Sequence, residues 1–174
     1  MNILEKTIVI DGENIVIRPI TLEDLQREKD FVTNLSSETR HFRFLGGIRE
    51  LSDEMATRFC DIDYEDHMAF VAVINNESTD NKPQEVGVSR YEADDKGGCE
   101  CALTVADEWQ NKGLGRALMD TLIEFARSKN KKTIYSYEMR ANTHMEHLAN
   151  DLHMKKTYDD EDTTLVRYEL LLIN

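Results

Sequence analysis

The spacing of apolar residues predicts a strand followed by a helix near the start of the chain. Ile15 and Ile17 alternate with other residues, which is typical of a strand, and Pro19 ends that segment. Thr21 fits a helix N-cap, and apolar residues three or four apart follow it. The predicted buried face of this helix consists of Leu22, Leu25, Val32 and Leu35.

A second short helix is predicted from the N-cap Ser52 to about Cys60, because Asp53 and Glu54 place negative charge at its beginning. Three runs rich in β-branched and apolar residues come next, and turn-forming residues separate them. These runs predict an antiparallel meander of three strands. The strands are Met68 to Ile74, Glu85 to Tyr91 and Glu100 to Val105.

The second half of the chain contains a long amphipathic helix. Leu114, Leu118, Leu122 and Phe125 recur at helical spacing. The remaining pattern predicts a strand, a helix and two strands joined by a polar turn. These segments are Thr133 to Met139, Thr143 to Leu152, Met154 to Tyr158 and Leu165 to Leu172, with the turn at Asp159 to Thr163. The fold class is therefore mixed α/β (α+β), with one domain over residues 1–174.

Length and hydropathy exclude several classes of protein. A chain of 174 residues fits one domain, and it has no apolar run near the ~20 residues that span a bilayer. The first ten residues are too short and too mixed for a secretory signal. We therefore predict a cytoplasmic protein with no membrane partner.

Charge and cysteine content restrict the partners further. The net charge of −13 disfavours nucleic acid and suits a cationic acceptor such as an amine. Cys60, Cys99 and Cys101 are odd in number, and their spacing fits no metal motif. The expectation is reduced cysteines and no metal site.

The segment Gln110–Asn111–Lys112–Gly113–Leu114–Gly115–Arg116 lies between a predicted strand and the long helix. Two glycines at this junction allow a tight turn. The first amides of a helix lack internal partners, and the helix dipole adds positive charge there. Such a turn binds phosphate.

Three other interpretations of this turn are possible. A dinucleotide-binding fold requires a third glycine, but Leu118 occupies that position. A nucleotide-binding P-loop requires Gly-Lys followed by Ser or Thr, which the chain lacks here. The turn could also simply begin a helix.

The pattern Gln110-x-x-Gly113-x-Gly115 between a strand and an amphipathic helix resembles the coenzyme A loop of the GNAT (Gcn5-related N-acetyltransferase) family. The resemblance extends from about Asn14 to the C-terminus. Within the family the chain is most similar to the acetyltransferase domain of Pat-type bacterial protein lysine acetyltransferases. The segments that resemble it are Arg43 to Gly47, Ile62 to Tyr64 and Met68 to Ala72.

The resemblance implies a sheet whose central strands splay apart and a coenzyme between them. Pantetheine would lie along the backbone of Leu103, Thr104 and Val105. The diphosphate would contact the loop residues Gln110, Asn111, Lys112, Gly113, Leu114, Gly115 and Arg116. Asn142 would contact the coenzyme or act only as a helix N-cap.

The resemblance also assigns chemistry. Glu100 would be the general base for the amine, the alternative being a solvated carboxylate at a strand end. The amide of Leu103 would bind the oxyanion. Many family members use a tyrosine to protonate the leaving thiolate, but Ala149 occupies that position here.

The expected reaction is acetyl transfer from acetyl-CoA to a primary amine, with a protein lysine as the favoured acceptor. Direct attack would occur in a ternary complex. A small amine or polyamine acceptor and a non-catalytic acyl-CoA sensor are the alternatives. A homodimer is compatible with the family, although no residue pattern requires one.

Overall fold

The computed structural model describes residues 5–75, 82–158 and 162–172. Within these ranges, eight strands form one sheet in the order β1-β2-β3-β4-β5-β6-β8-β7. Neighbouring strands are antiparallel except β5 and β6, which are parallel. The strands are β1 (Lys6–Ile10), β2 (Glu13–Pro19), β3 (His67–Asn75), β4 (Pro83–Ala93), β5 (Cys99–Val105), β6 (Thr133–Met139), β7 (Lys155–Tyr158) and β8 (Leu165–Leu171).

Helices cover both faces of the sheet, which confirms the predicted mixed α/β class. They are α1 (Leu25–Asn34), α2 (Ser37–Phe44), α3 (Asp53–Cys60), α4 (Leu114–Ser128) and α5 (Thr143–Asp151). Short 3₁₀ turns at Leu22–Asp24 and Asp107–Trp109 precede α1 and the loop before α4. No helix in the described ranges is long and apolar enough to cross a membrane.

Strand β3 shows why its sequence is apolar throughout. Met68 and Phe70 belong to the core beneath α4, whereas Ala69 and Val71 belong to the core beneath α1 and α3. Because side chains in a strand alternate between faces, a strand covered on both sides needs apolar residues at every position. Burial on both faces holds the central strands of the sheet in place, and with them the strand ends at which the candidate active site lies.

The two halves of the sheet separate at its centre. Strands β5 and β6 pair only at Cys99 with Ile134 and at Glu100 with Tyr135. Strand β6 then pairs with β8, while β5 stays on β4 as far as Val105. The predicted splay is confirmed, and it leaves one edge of β5 open beyond Glu100.

Most predicted elements are present, with some differences. The N-cap Ser52 is confirmed, since its hydroxyl accepts the Met55 amide at 3.2 Å. The prediction that Leu22 lies on a buried helix face was wrong: it belongs to the 3₁₀ turn and is 52% exposed. Residues 159–161 of the predicted polar turn lie outside the described residues.

The sequence analysis missed β1 and α2. The signal for β1 was the pair Asp11-Gly12, because both residues adopt positive φ (54° and 85°) in the hairpin to β2. The signal for α2 was Ser36, whose hydroxyl accepts the Thr39 amide at 3.1 Å. Helix α2 buries no residue, so its apolar pattern is weak.

A buried pair of carboxyl groups lies between α1 and β4. Glu85 is 3% exposed and Glu28 is 2% exposed, and neither Glu85 oxygen is hydrogen-bonded in the described part of the chain. Arg90 donates to Glu28 at 2.9 Å. Burial raises the pKa of Glu85 well above its usual value, and the charge of Glu28 raises that pKa further. The fold therefore favours the protonated form of Glu85.

We expect E85Q to change how stability depends on pH. Because the folded-state pKa exceeds the unfolded value of about 4.3, Glu85 favours folding below that pH, and stability falls as pH rises through the folded pKa. As the pH rises from 5 to 8, the unfolding free energy of E85Q should increase relative to that of the parent by about 1 kcal/mol or more. Urea unfolding measures this gain. E13Q, at an exposed site, is the control, and equal gains would contradict the assignment.

Candidate active site

The open edge of β5 borders a cavity of about 620 Å³. The Ala106 amide, just after β5, donates to the Val86 carbonyl of β4 at 2.9 Å, so the main-chain groups of Ala106 face β4. Because these groups alternate along an antiparallel pair, those of Val105, Leu103 and Cys101 face the gap. The Gln110 side-chain amide donates to the Val105 carbonyl at 3.1 Å, which agrees with this direction. The Leu103 amide is thus directed toward the cavity.

The loop before α4 presents its own backbone amides at one end of the cavity. Asn111 (φ 59°) and Gly113 (φ 90°) both adopt the left-handed conformation. The first bond of the helix runs from the Ala117 amide to the Gly113 carbonyl at 3.0 Å. The amides of residues 111–116 have no acceptor within the described ranges. Consecutive unpaired amides at a helix N-terminus form an anion-binding turn.

Gly115 allows the helix to approach β5 closely. A Cβ atom at Gly115 would lie 3.3 Å from Leu103 Cδ2 and 3.6 Å from Val105 Cγ2. The absence of a side chain therefore brings the loop amides to the end of β5. Leu114, by contrast, is fully buried in the core, so it anchors the turn from below.

The two basic residues of the loop differ in their surroundings. Lys112 pairs with Asp11 at 2.8 Å, lies over the Trp109 ring, and is not among the residues that line the cavity. Arg116 lines the cavity and is bound to Asp120 at 2.9 Å. A coenzyme role remains a prediction for both.

Polar contacts join the loop to helix α2. Asp107 accepts hydrogen bonds from the Ser36 amide (2.8 Å), the Ser36 hydroxyl (2.6 Å) and the Thr39 hydroxyl (2.7 Å). Gln110 donates to the Thr39 hydroxyl at 3.2 Å. The bonds of Asp107 to Ser36 and Thr39 hold the pKa of that carboxyl below its usual value although burial opposes them. Gln110 thereby spans both α2 and the end of β5.

Glu100 lies on β5 where the gap begins, and its side chain lines the cavity. Neighbouring Cys99 and Cys101 are buried on the opposite face, as the alternation predicted. Glu100 is exposed rather than enclosed. Partial desolvation raises its pKa, the Glu92 carboxylate on β4 raises it further, and Arg43 opposes both.

Asn142 serves as the N-cap of α5, because its side-chain oxygen accepts the Met145 amide at 3.2 Å. Its side-chain nitrogen donates to Glu138 at 3.2 Å. Asn142 also lines the cavity, so the structure is compatible with both predicted roles.

Glu138 is a cavity residue that the sequence analysis missed. Burial raises the pKa of this carboxyl to about 7, although Asn142 and Arg43 act in the opposite direction. Its position on β6 gave no signal, because a lone glutamate in a strand is usually exposed. Ala149, where the resemblance placed the missing tyrosine, is fully buried.

Helix α2, which forms one wall of the cavity, contributes further residues that the sequence analysis missed. Its cavity-lining residues are Glu38, Thr39, Phe42 and Arg43. Arg43 stacks on Phe44, with its guanidinium carbon 4.9 Å from the ring centroid. Desolvation of the half-buried Arg43 guanidinium lowers its pKa to about 10, so the group stays charged at neutral pH. These residues could be placed only once α2 itself was known.

A glycine-rich turn that opens onto a gap between strands, with a carboxylate at the end of the gap, is the arrangement expected of an acyl-carrier-dependent transferase. The comparisons with known proteins agree. Residues 31–154 match the family model described as Acetyltransferase (GNAT) family. The chain belongs to this family of acyl-CoA-dependent N-acetyltransferases, which use acetyl-CoA as cosubstrate.

Individual relatives are consistent with the match. The acetyltransferase PA5475 of Pseudomonas aeruginosa is 43% identical over 163 residues, which cover 93% of this chain and 86% of that protein. The acetyltransferase Pat of Mycolicibacterium smegmatis is 28% identical over 159 residues; the match covers 91% of this chain and only 44% of Pat.

Among solved structures, the GNAT domain of S. lividans PAT has the same fold. Its TM-score is 0.86, with 24% identity and 97% coverage of both chains.

Proposed function

We propose that this chain transfers an acetyl group from acetyl-CoA to the side-chain amine of a protein lysine. The observation that supports the proposal best is the gap between β5 and β6, which has free loop amides at one end and Glu100 at the other. A diphosphate on the amides would leave the pantetheine chain to run along β5 toward Glu100.

The coenzyme is held mainly by main-chain groups. Amides of the Gln110 to Arg116 loop bind the diphosphate, and the groups of β5 that face the gap hydrogen-bond pantetheine as an added strand would. The Leu103 amide donates to the thioester oxygen and to the oxyanion that forms during attack. Asn142 lines the same cavity and supports the coenzyme from the start of α5.

Glu100 acts as the base for the acceptor. A lysine ammonium has a pKa near 10.4, and releasing its proton at pH 7 costs roughly 4 to 5 kcal/mol. The pKa of Glu100, raised by desolvation and by Glu92, makes this carboxylate a better proton acceptor than an ordinary surface glutamate. After proton transfer, the neutral amine attacks the thioester carbon. The C–S bond breaks as the amide forms, and the second amine proton passes to the leaving sulfur, directly or through water, so that coenzyme A leaves as the thiol.

Charge favours a cationic acceptor. The chain has a net charge of −13, and its cavity is lined by the carboxylates of Glu38, Glu100, Asp107, Glu138 and Asp151. Such a surface raises the local concentration of cations and speeds their association. The sequence resemblance to Pat-type protein lysine acetyltransferases favours a protein acceptor over a small amine, and one matching relative is the acetyltransferase Pat.

A thiol-release assay with matched acceptors tests the assignment. We expect a lysine peptide with blocked termini to be acetylated with a kcat/KM roughly tenfold or more above that of a polyamine or of free lysine. The same peptide with arginine replacing lysine is the control and should give no product. Mass spectrometry locates the acetyl group on the side-chain amine.

Each contrary result indicates a different function. Faster turnover of the polyamine would indicate a small-molecule acetyltransferase. Binding without turnover of any acceptor would indicate an acyl-CoA sensor. Binding itself is measured by thermal stabilisation, since acetyl-CoA at 100 times its Kd should add about 2.7 kcal/mol. Absence of stabilisation would contradict the coenzyme site.

A further inference from the structure

Arg43 is a charged side chain on the cavity wall that no partner neutralises directly. It forms no ion pair and donates no hydrogen bond within residues 5–75, 82–158 and 162–172. Its guanidinium stacks on Phe44 (4.9 Å) and lies 5.9 Å from the Phe59 ring centroid. Aromatic rings stabilise a nearby cation and also restrict where it lies. Arg43 is therefore held in place by α2 and α3 while its charge remains available to the cavity.

Two carboxyl groups share the cavity with this guanidinium. Glu100 lines it from β5 and Glu138 lines it from β6. Helix α2, which contains Arg43, is attached through Asp107 to the same loop that precedes α4. The guanidinium, the proposed base and the second carboxyl group thus line the same cavity, at the gap between the splayed strands.

We propose that Arg43 is a positioning residue that keeps Glu100 ionised as the base, by supplying the positive charge that the two cavity carboxyls share. The proposal rests on the proposed function. When coenzyme and acceptor displace water, the effective dielectric constant falls and the attraction between these charges grows. The influence of Arg43 is then largest in the complex that reacts.

Other charges near these groups act in known directions. Glu92 on β4 raises the pKa of Glu100, and Arg43 lowers it. Glu100 raises the pKa of Glu138, whereas Arg43 and the Asn142 amide lower it. Desolvation and the charge of Arg90 lower the pKa of Arg43, whereas Glu28 and the two cavity carboxyls raise it.

Three titratable groups that are neutral also interact with Glu100 or Glu138. Cys101 on β5 and Tyr168 on β8 respond to the charge of Glu138, and Tyr135 on β6 responds to that of Glu100. Burial keeps the pKa of each of these three groups above its usual value, so all three are neutral in the range where the carboxyls titrate. Arg43 thus opposes both elevated carboxyl pKa values.

The test compares the parent with R43M, which keeps the bulk and removes the charge, and with R43K, which keeps the charge. Glutamate carboxyl carbons are labelled with ¹³C and titrated by NMR, with the signals assigned through E100Q and E138Q. In R43M, we expect the pKa of Glu100 to rise by about 0.5 to 1 unit, below the shift of a direct ion pair. In R43K, the pKa of Glu100 should return most of the way to its value in the parent.

Activity gives the second measurement. The acid limb of kcat/KM for a lysine peptide should move to higher pH in R43M by the same amount, while the Kd of acetyl-CoA stays within about twofold of the parent. R43Q repeats the measurement with a neutral polar side chain, in case R43M is poorly folded. Thermal unfolding of every variant checks the fold.

Contrary outcomes are specific. Unchanged carboxyl titrations in R43M and R43Q would overturn the inference, and so would an R43K variant that behaves like R43M. Weaker acetyl-CoA binding without a shift in either carboxyl would instead make Arg43 a coenzyme ligand and would also overturn it. If E100Q keeps full turnover, the proposed base fails, whereas the NMR titration still reports whether Arg43 controls the carboxyl groups.

Discussion

E100Q should lower kcat for a lysine acceptor by roughly 10² to 10⁴-fold at pH 7, the usual contribution of a general base. Glutamine has nearly the same shape but cannot accept the ammonium proton. Acetyl-CoA affinity should stay within about twofold of the parent, because the loop amides and the backbone of β5 hold the coenzyme in the proposed complex. Steady-state kinetics and calorimetry measure the two quantities separately.

The matched control is E92Q. Glu92 lies directly opposite Glu100 on β4 and its side chain is 77% exposed, so this variant removes a neighbouring negative charge without removing the base. It should lower the pKa of Glu100 and change kcat far less than E100Q. Raising the pH should partly restore turnover in E100Q, because more of the acceptor is then already neutral. Equal losses in both variants, or full activity in E100Q, would remove Glu100 from the mechanism.

G113A should weaken acetyl-CoA binding by roughly tenfold or more. Gly113 adopts a φ of 90°, where a residue with a Cβ atom is strained by about 1 to 2 kcal/mol. Because no atom lies within 4 Å of the added methyl, the variant relieves its strain by turning the backbone, and the loop amides turn with it. Calorimetric titration with acetyl-CoA and with coenzyme A measures the loss.

G12A is the control for backbone strain alone. Gly12 has a φ of 85° and equally free surroundings, but it lies in the hairpin between β1 and β2. Both variants should lose similar stability in urea, whereas only G113A should lose coenzyme affinity. Equal affinity in the parent and G113A would mean that the turn does not grip the diphosphate.

The sequence predicted those parts of the fold that local patterning determines. The runs that became β3, β4 and β5 were identified from their composition, and α4 from its apolar spacing. The glycine-rich turn could be predicted because Gly113 permits a left-handed backbone conformation and Gly115 permits α4 to approach β5 closely, and the proposed function depends on that geometry. The splay of the strands followed only from the family resemblance, since pairing between distant segments leaves no local pattern.

Other parts of the site were beyond local patterns. Helix α2 buries no residue, and polar bonds to Asp107 attach it, so hydropathy could not indicate it. The elevated pKa of Glu138 arises from burial that only the assembled sheet creates. The isolation of Arg43 likewise depends on what surrounds it in three dimensions.

The brief pairing of β5 with β6 has a mechanical consequence. Within the described residues, strands β1–β5 are paired with strands β6–β8 at only two residue pairs, so the hydrogen-bonded sheet is interrupted near its middle. A bound pantetheine arm would fill the gap between β5 and β6 and restrict the motion of the two strands. Deuterium uptake at Leu103 should then slow on coenzyme addition far more than uptake at Val71, which lies deep within the β1–β5 part of the sheet.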